Sequence, residues 1–302
     1  EIMRAKRSLP VRIADCLLKN PYVLIAPAIL IVVVMTIYPM IYGFIVSFTN
    51  WDIVTGEMNF VGLSNYKRLF TNKEFWLVIK NTLVYTVSVV FFSIALSILI
   101  GVFLNKNKRI YAFVQTIVFT PYILSMVAVA VLFCWLFDVN SGFFNFILTS
   151  LGFEPLMWLR SESTSLMSII IVSVWKDLGY SSLMVIAGLQ SIPKSVYEAA
   201  KLDRAGSFTT FRKITLPMLS PTIFFLLVTK TIDCFRAFDI SFNMTQGGPR
   251  SSSKLLVLFI YQEGYQNFRM GTAMAAAIVL LVIVSVVSYI NFAVVDKKVH
   301  YQ

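Results

Sequence analysis

Charge is what this chain has least of. Of its 302 residues only 14% are Asp, Glu, Lys or Arg, while 58% are hydrophobic. Soluble domains carry about 25% charged residues. The deficit excludes an ordinary soluble globule and points to a protein whose solvent is lipid. Histidine is nearly absent too: His300 stands alone, which excludes a histidine-based metal centre. The three cysteines, Cys16, Cys134 and Cys234, lack metal-ligand spacing and are expected as reduced thiols. No Gly-x-x-x-x-Gly-Lys-Ser/Thr run offers a phosphate cradle, and no Gly-x-Ser-x-Gly elbow offers a nucleophile. The chain is therefore not expected to be an enzyme or to bind ATP or a metal itself. Any transport must be driven by a partner ATPase or by an ion gradient. The first apolar run is too long for a cleavable leader and lacks a small-residue cleavage site. Because residue 1 is Glu1, further sequence is expected before it.

Long apolar runs are what the chain has. Charge-free stretches at 20–51, 81–105, 110–137 and 270–295 each exceed the roughly 20 residues that cross a hydrocarbon core. Two more stretches are apolar but carry charge. One, near 166–190, contains Lys176 and Asp177; the other, near 219–242, contains Lys230, Asp233, Arg236 and Asp239. The reading is an all-α membrane protein of six transmembrane helices, with a tail at 1–20, a six-helix domain at 21–295 and a tail at 296–302.

The basic residues orient it. Fifteen Lys and Arg fall in the two tails, the loop after the second span and the loop between the two charged spans. Eight fall on the opposite side. The positive-inside rule then makes both termini cytoplasmic. The net charge of +11 is accordingly an orientation signal. A nucleic-acid partner is not expected, because the charges are scattered over short loops. On the outer side, Phe75, Trp76 and Trp158 suit a membrane interface.

The loop at 191–218 joins the two charged spans and is too rich in helix formers to be a flexible linker. Ser191 is expected to cap a first helix with Pro193 in its opening turn. Gly206 is expected to end that helix in a left-handed conformation, Ser207 to cap a second, and Pro217 to stop it. Within it, Glu198-Ala199-Ala200, Asp203, Ala205, Phe211 and Ile214-Thr215-Leu216-Pro217 resemble the EAA loop of ABC importer permeases. The similarity is greatest to the carbohydrate branch, the maltose-type and glycerol-3-phosphate-type permeases. It extends to Gly62-Leu63-Ser64-Asn65-Tyr66 and to Thr245-Gln246-Gly247-Gly248-Pro249, the latter either a plain helix-ending turn or, as the resemblance implies, part of a loop near the external binding protein. The resemblance implies that the loop, through Glu198, Ala199, Ala200, Asp203, Arg204, Gly206, Phe211, Leu216 and Pro217, docks into a cytoplasmic ATPase. The family usually has Gly directly after the Asp. Here Arg204 stands there, and Gly206 is expected to take over the turn.

Six charges inside spans need an interior destination, since each costs about 2.5–3.5 kcal/mol at a helix centre on insertion scales. Along the fifth span Lys230–Asp233, Asp233–Arg236 and Arg236–Asp239 are each three apart, so pairing along the helix is expected. Two readings stay open: mutual neutralisation that fixes packing, or a polar cavity for a hydroxylated or charged solute. Tyr122, Trp175, Tyr180, Phe235 and Phe238 are either packing residues or stacking surfaces for a sugar ring. The resemblance implies substrate contacts at Pro121-Tyr122, Gly179-Tyr180 and the Asp233–Ala237 segment. The candidate pathway is thus Tyr122, Lys176, Asp177, Tyr180, Asp233, Arg236, Ala237 and Asp239. The Asn residues of the maltose type are missing from the last segment, which argues against maltose and leaves room for an acidic or phosphorylated solute.

These features imply a permease subunit of an ATP-driven importer in a bacterial-type cytoplasmic membrane, passing a sugar, oligosaccharide or related polyol. The implied partners are a second homologous permease, two ATP-binding cassette subunits that bind ATP and Mg, an extracytoplasmic solute-binding protein, and lipid. The alternative is an ion-coupled secondary transporter working through its membrane carboxylates.

Overall fold

The computed structural model describes residues 21–51, 55–106 and 108–295. The tails expected at 1–20, with Cys16, and at 296–302, with His300, lie outside the described residues. Four helices are long and apolar enough to cross a membrane: α1 (Pro21–Val46), α3 (Lys73–Leu104), α7 (Ser165–Ser191) and α13 (Met270–Ile290, apolar to Ala293). Two bent pairs pass the same test: α4 (Arg109–Ile123) with α5 (Met126–Leu136), and α9 (Ser207–Met218) with α10 (Ser220–Phe235).

The bends correct two expected spans. The run 110–137 is not one helix. It breaks at Leu124 and Ser125, which are extended, and α4 and α5 meet at 97°. No charge marks this break, so an apolar count passes over it. The span expected at 219–242 ends at Phe235, and a separate helix, α11 (Asp239–Thr245), follows.

Pro39 and Pro217 sit inside helices without stopping them. In α1 a π-turn spans Val33–Ile37, and Tyr38 donates its N–H to Val33 ahead of Pro39. In α9 a π-turn spans Phe211–Thr215, and Leu216 donates to Phe211 ahead of Pro217. The wider turn relaxes the register that proline would break through its missing N–H and its ring. Pro217 therefore does not end the second loop helix, contrary to the expectation.

The bundle is centred on α3 and α7. Their seam is built from small residues: Ser93, Ser97 and Gly101 on α3, and Ser173, Ser181 and Ser182 on α7, all buried. A Cβ on Gly101 would lie 2.6 Å from Val185 Cγ1, so the backbones approach as small-residue helix pairs do in membranes. Tyr85 on α3 and Ser173 on α7 share a hydrogen bond of 2.8 Å across it.

At one end of the bundle α1 leads into a two-stranded antiparallel hairpin, β1 (Thr49–Trp51) and β2 (Met58–Phe60), which the all-α reading did not contain. Asn65, from the Gly-Leu-x-Asn-Tyr stretch and in α2 (Ser64–Thr71), explains it. Its buried amide donates to the carbonyls of Ser47 and Thr49, each at 2.9 Å. Gly271 on α13 lies against the same carbonyl: a Cβ there would be 2.0 Å from Thr49 O. The segment 245–249 ends α11 with Gln246 and Gly247 at positive φ. The following loop is tied back to α3 by Lys254–Glu74 at 2.6 Å and by Asn81 donating to Ser251 O at 2.8 Å.

Between α5 and α7 lies α6 (Phe143–Ser150). Trp158, expected at a membrane interface, is half-buried, stacks on Phe137 with centroids 4.9 Å apart, and donates to Asn145 Oδ1. Phe75 is buried against Phe259 of α12 (Leu256–Tyr261), while Trp76 is exposed. In this loop Asp138 accepts hydrogen bonds from the Ser141 amide and hydroxyl and from the Asn140 amide, which hold its carboxyl below the usual carboxylate range.

Candidate functional site

Where α3, α4, α7 and α10 meet, a cavity of about 320 Å³ is lined by Tyr122, Lys176, Asp177, Asp233, Arg236, Ala237 and Asp239. All seven come from the candidate pathway. The eighth, Tyr180, stands behind Tyr122 and stacks on it, with centroids 5.0 Å apart and planes 23° apart. Two α-helical facts make the arrangement. Lys176 and Tyr180 are one turn apart on α7, so both meet α4. Gly179 lets that contact close, because a Cβ there would lie 2.6 Å from Val118 O and 2.8 Å from Phe119 Cα.

Of the pairs that the spacing along the fifth span suggests, only Lys230–Asp233 forms among the described residues. Lys230, buried on α10, forms its ion pair across the bundle with Asp177 on α7. Asp233 lies 3.9 Å from the same ammonium, a far weaker contact. Arg236 and Asp239 form no ion pair among the described residues. The reason is the helix end. Arg236 caps α10, so the three-residue spacing from Asp233 to Arg236 and on to Asp239 no longer places side chains one above the other.

Lys176 is held differently again. Its ammonium donates to the carbonyls of Pro121 (3.3 Å), Tyr122 (2.9 Å) and Leu124 (2.6 Å). These belong to the open C-terminal end of α4, whose last carbonyls have no intrahelical partner. The break between α4 and α5 and the intramembrane lysine thus satisfy one another. Lys176 also lies 5.6 Å from the Tyr122 ring centroid, and Lys230 lies 4.6 Å from that of Tyr180.

Lys230 is the charged cavity residue that the candidate pathway lacked. It was visible as a membrane charge; its partner on another helix was not. Ser173 and Phe238 also line the cavity. Trp175 packs in the core against Phe133, and Phe235 is buried away from the cavity.

The loop at the other end of α7 and α10 begins with α8 (Lys194–Leu202). Ser191 does not cap it: its hydroxyl donates to Gly188 O within α7, and Pro193 occupies the N-cap position. Arg204, not Gly206, takes the left-handed conformation, with φ at 53°. Ala205 N–H bonds Ala200 O (2.9 Å) and Arg204 N–H bonds Lys201 O (3.0 Å), the Schellman pattern. Gly206 is extended and precedes α9, and Ser207 lies inside that helix rather than capping it. Tyr197 and Thr215 share a hydrogen bond of 3.3 Å between the two helices. Glu198, Ala199, Asp203, Arg204 and Gly206 are exposed, Phe211, Leu216 and Pro217 half-buried, and Ala200 is buried inside the knob. Leu202 (84%) and Phe208 (74%) are the large apolar side chains it presents outward.

Residues 93–301 match the family described as binding-protein-dependent transport system inner membrane component. The chain belongs to that family. The arabinooligosaccharides transport system permease protein of Bacillus subtilis (strain 168) is 36% identical over 90% of this chain and 87% of its own. The sn-glycerol-3-phosphate transport system permease protein of Agrobacterium fabrum (strain C58 / ATCC 33970) is 31% identical over 93% and 96%. Among solved structures, a bacterial ABC transporter involved in the import of the acidic polysaccharide alginate superposes with a TM-score of 0.83 at 25% identity. It covers 95% of this chain and 99% of its own. These relatives are transporter permease subunits, not enzymes. The apolar helices of this permease are therefore membrane spans of a multi-pass protein, and an ion-coupled secondary carrier is set aside.

Proposed function

We propose that the permease forms half of the translocation path of an ATP-driven importer for a sugar, oligosaccharide or related polyol. The observation that carries this is the cavity between α4, α7 and α10. It offers the Tyr122 face for an apolar ring surface, and exposed Asp233, Arg236 and Asp239 as acceptors and donors for hydroxyls. The solutes named for the relatives, arabinooligosaccharides and alginate among them, support the same class. An acidic solute is the second reading. Arg236 favours it, being a cavity cation without a carboxylate partner among the described residues.

In this reading the protein crosses a bacterial cytoplasmic membrane six times, with each bent pair counted as one span and both termini cytoplasmic. The six-helix domain is 21–295, flanked by tails at 1–20 and 296–302, and the loop 191–218 seats in an ATP-binding cassette subunit. Exposed Glu198, Asp203, Leu202 and Phe208 support docking, since they form a polar and apolar knob that faces outward. A second homologous permease, two cassette subunits and an extracytoplasmic solute-binding protein complete the machine. ATP and Mg belong to the cassette subunits. The known complex of the alginate ABC transporter with a pentasaccharide-bound periplasmic protein supports the last partner.

The test is reconstitution of the purified complex in proteoliposomes with its binding protein and a panel of neutral and acidic oligosaccharides. ATP hydrolysis stimulated by one of them, with ATP-dependent uptake, is expected. Uptake that follows an ion gradient without ATP, or no stimulation by any carbohydrate, would overturn the reading.

A further inference from the structure

The end of the bundle that carries the Glu198 loop holds another cavity, of about 490 Å³, outside the pathway just described. Its polar lining is Asn105 and Lys106 after α3, Gln115 on α4, Gln190 at the end of α7, and Lys194 and Tyr197 on α8. That is two ammonium groups, three amides and a phenol, with no carboxylate among them. Neither lysine forms an ion pair among the described residues. Lys106 instead lies 4.9 Å from the Phe103 ring centroid and 5.0 Å from that of Tyr111, and donates to the Tyr111 hydroxyl at 3.3 Å. Glu198 follows Tyr197 on α8 but points to solvent and does not line the cavity.

A second, independent feature adds positive potential. α8 starts at the cavity wall with no acid in its first turn and no side-chain cap. Its opening amides and the helix dipole both favour an anion there. The depth is also informative. Phe103 (63%) and Ile110 (60%) are exposed on either side of Lys106, where the apolar run of α3 ends. Apolar side chains facing outward beside a lysine mark the boundary between acyl chains and headgroups.

We propose that this cavity binds a phosphate ester, supplied by the headgroup of an anionic membrane lipid. Lys194 and Tyr197 belong to α8, whereas Asn105 and Lys106 follow α3. A phosphate held between them bridges the loop to the bundle and fixes the angle at which the loop is presented. Lipid composition then acts on docking through a site remote from the solute cavity.

The test uses the full transporter complex, delipidated and returned to bicelles of phosphatidylcholine with or without phosphatidylglycerol, and separately to inorganic phosphate. Native mass spectrometry counts retained lipid, and thermal unfolding reports binding of either probe. Phosphatidylglycerol should be retained at least fivefold over phosphatidylcholine and should raise the unfolding midpoint. The double variant Lys106→Gln, Lys194→Gln should abolish both effects, while Lys106→Arg, Lys194→Arg should keep them. A midpoint raised by inorganic phosphate alone, and lost in the Gln variant, would support the phosphate site with a soluble ester as its source. Equal retention of the two lipids with no response to phosphate, or responses unchanged in the Gln variant, would overturn the proposal.

Discussion

Lys230 on α10 and Asp177 on α7 form an ion pair across the bundle, on the two helices that the Glu198 loop joins. Lys230 is 5% exposed and Asp177 16%. The pair lines the cavity and ties together the two helices that carry the loop. Any change in the loop that slides α7 against α10 must stretch this pair or move the aromatic wall of Tyr122 and Tyr180 with it. Nearer the loop the same helices are in tight contact, since a Cβ on Gly188 would lie 2.4 Å from Thr222 Oγ1.

Neutralising one partner leaves the other charge buried alone, which costs about 3–5 kcal/mol, whereas removing both is often near neutral. Lys230→Met and Asp177→Asn should each lower the unfolding midpoint and yield of the purified complex. The double variant should recover most of both, as read by size-exclusion fluorescence after heating. A double variant as unstable as the worse single variant would show that the pair is not what these charges are for.

Arg236 predicts the opposite pattern. Among the described residues it has no carboxylate partner to leave stranded, so Arg236→Ala should assemble at the normal yield. Uptake should fall about tenfold or more, the size expected for losing a charge-assisted hydrogen bond worth ~1.5–3 kcal/mol. Arg236→Lys should recover little, because a planar fork is replaced by a point charge. Normal uptake by Arg236→Ala in proteoliposomes would remove Arg236 from the solute path.

The apolar runs, the helical loop and the cavity charges were legible in the sequence because each leaves a local mark: a missing charge, a run of helix formers, a charge where lipid forbids one. What was not legible depends on a second segment. The break at Leu124 and Ser125 sits in an uninterrupted apolar run, and what holds its open end is Lys176, more than fifty residues away. The pairs expected with Arg236 and Asp239 needed a helix through Asp239, but the helix ends at Phe235. The contacts of Trp158 with Asn145 and Phe137 join segments that the sequence alone does not bring together. The hairpin depends on Asn65 reaching back to Ser47 and Thr49.

Arg204 carries backbone strain that glycine would not. A side chain in the left-handed conformation costs about 1–2 kcal/mol, and glycine gives back roughly 0.5–1 kcal/mol through its freer unfolded chain. Arg204→Gly should therefore slow hydrogen exchange of the Arg204-position and Ala205 amides, the two donors of the Schellman turn. Arg204→Val, β-branched at positive φ, should speed it. The reverse order would mean that the Arg204 side chain, not the backbone, holds the turn.

Glu198 separates docking from folding. It is exposed on α8 and forms no ion pair among the described residues, so reversing its charge removes nothing from this subunit. Glu198→Lys should leave membrane insertion and the subunit's own unfolding midpoint unchanged. If the loop docks through this face, the cassette subunits should be lost on affinity purification and uptake should fall with them. Ala200→Glu serves as the contrast. Ala200 is buried and accepts the Ala205 amide through its carbonyl, so a charge there should unfold the knob and lower the midpoint as well. A Glu198→Lys complex that keeps its cassette subunits and transports normally would show that docking uses another surface of the loop, with exposed Leu202 and Phe208 the next side chains to change.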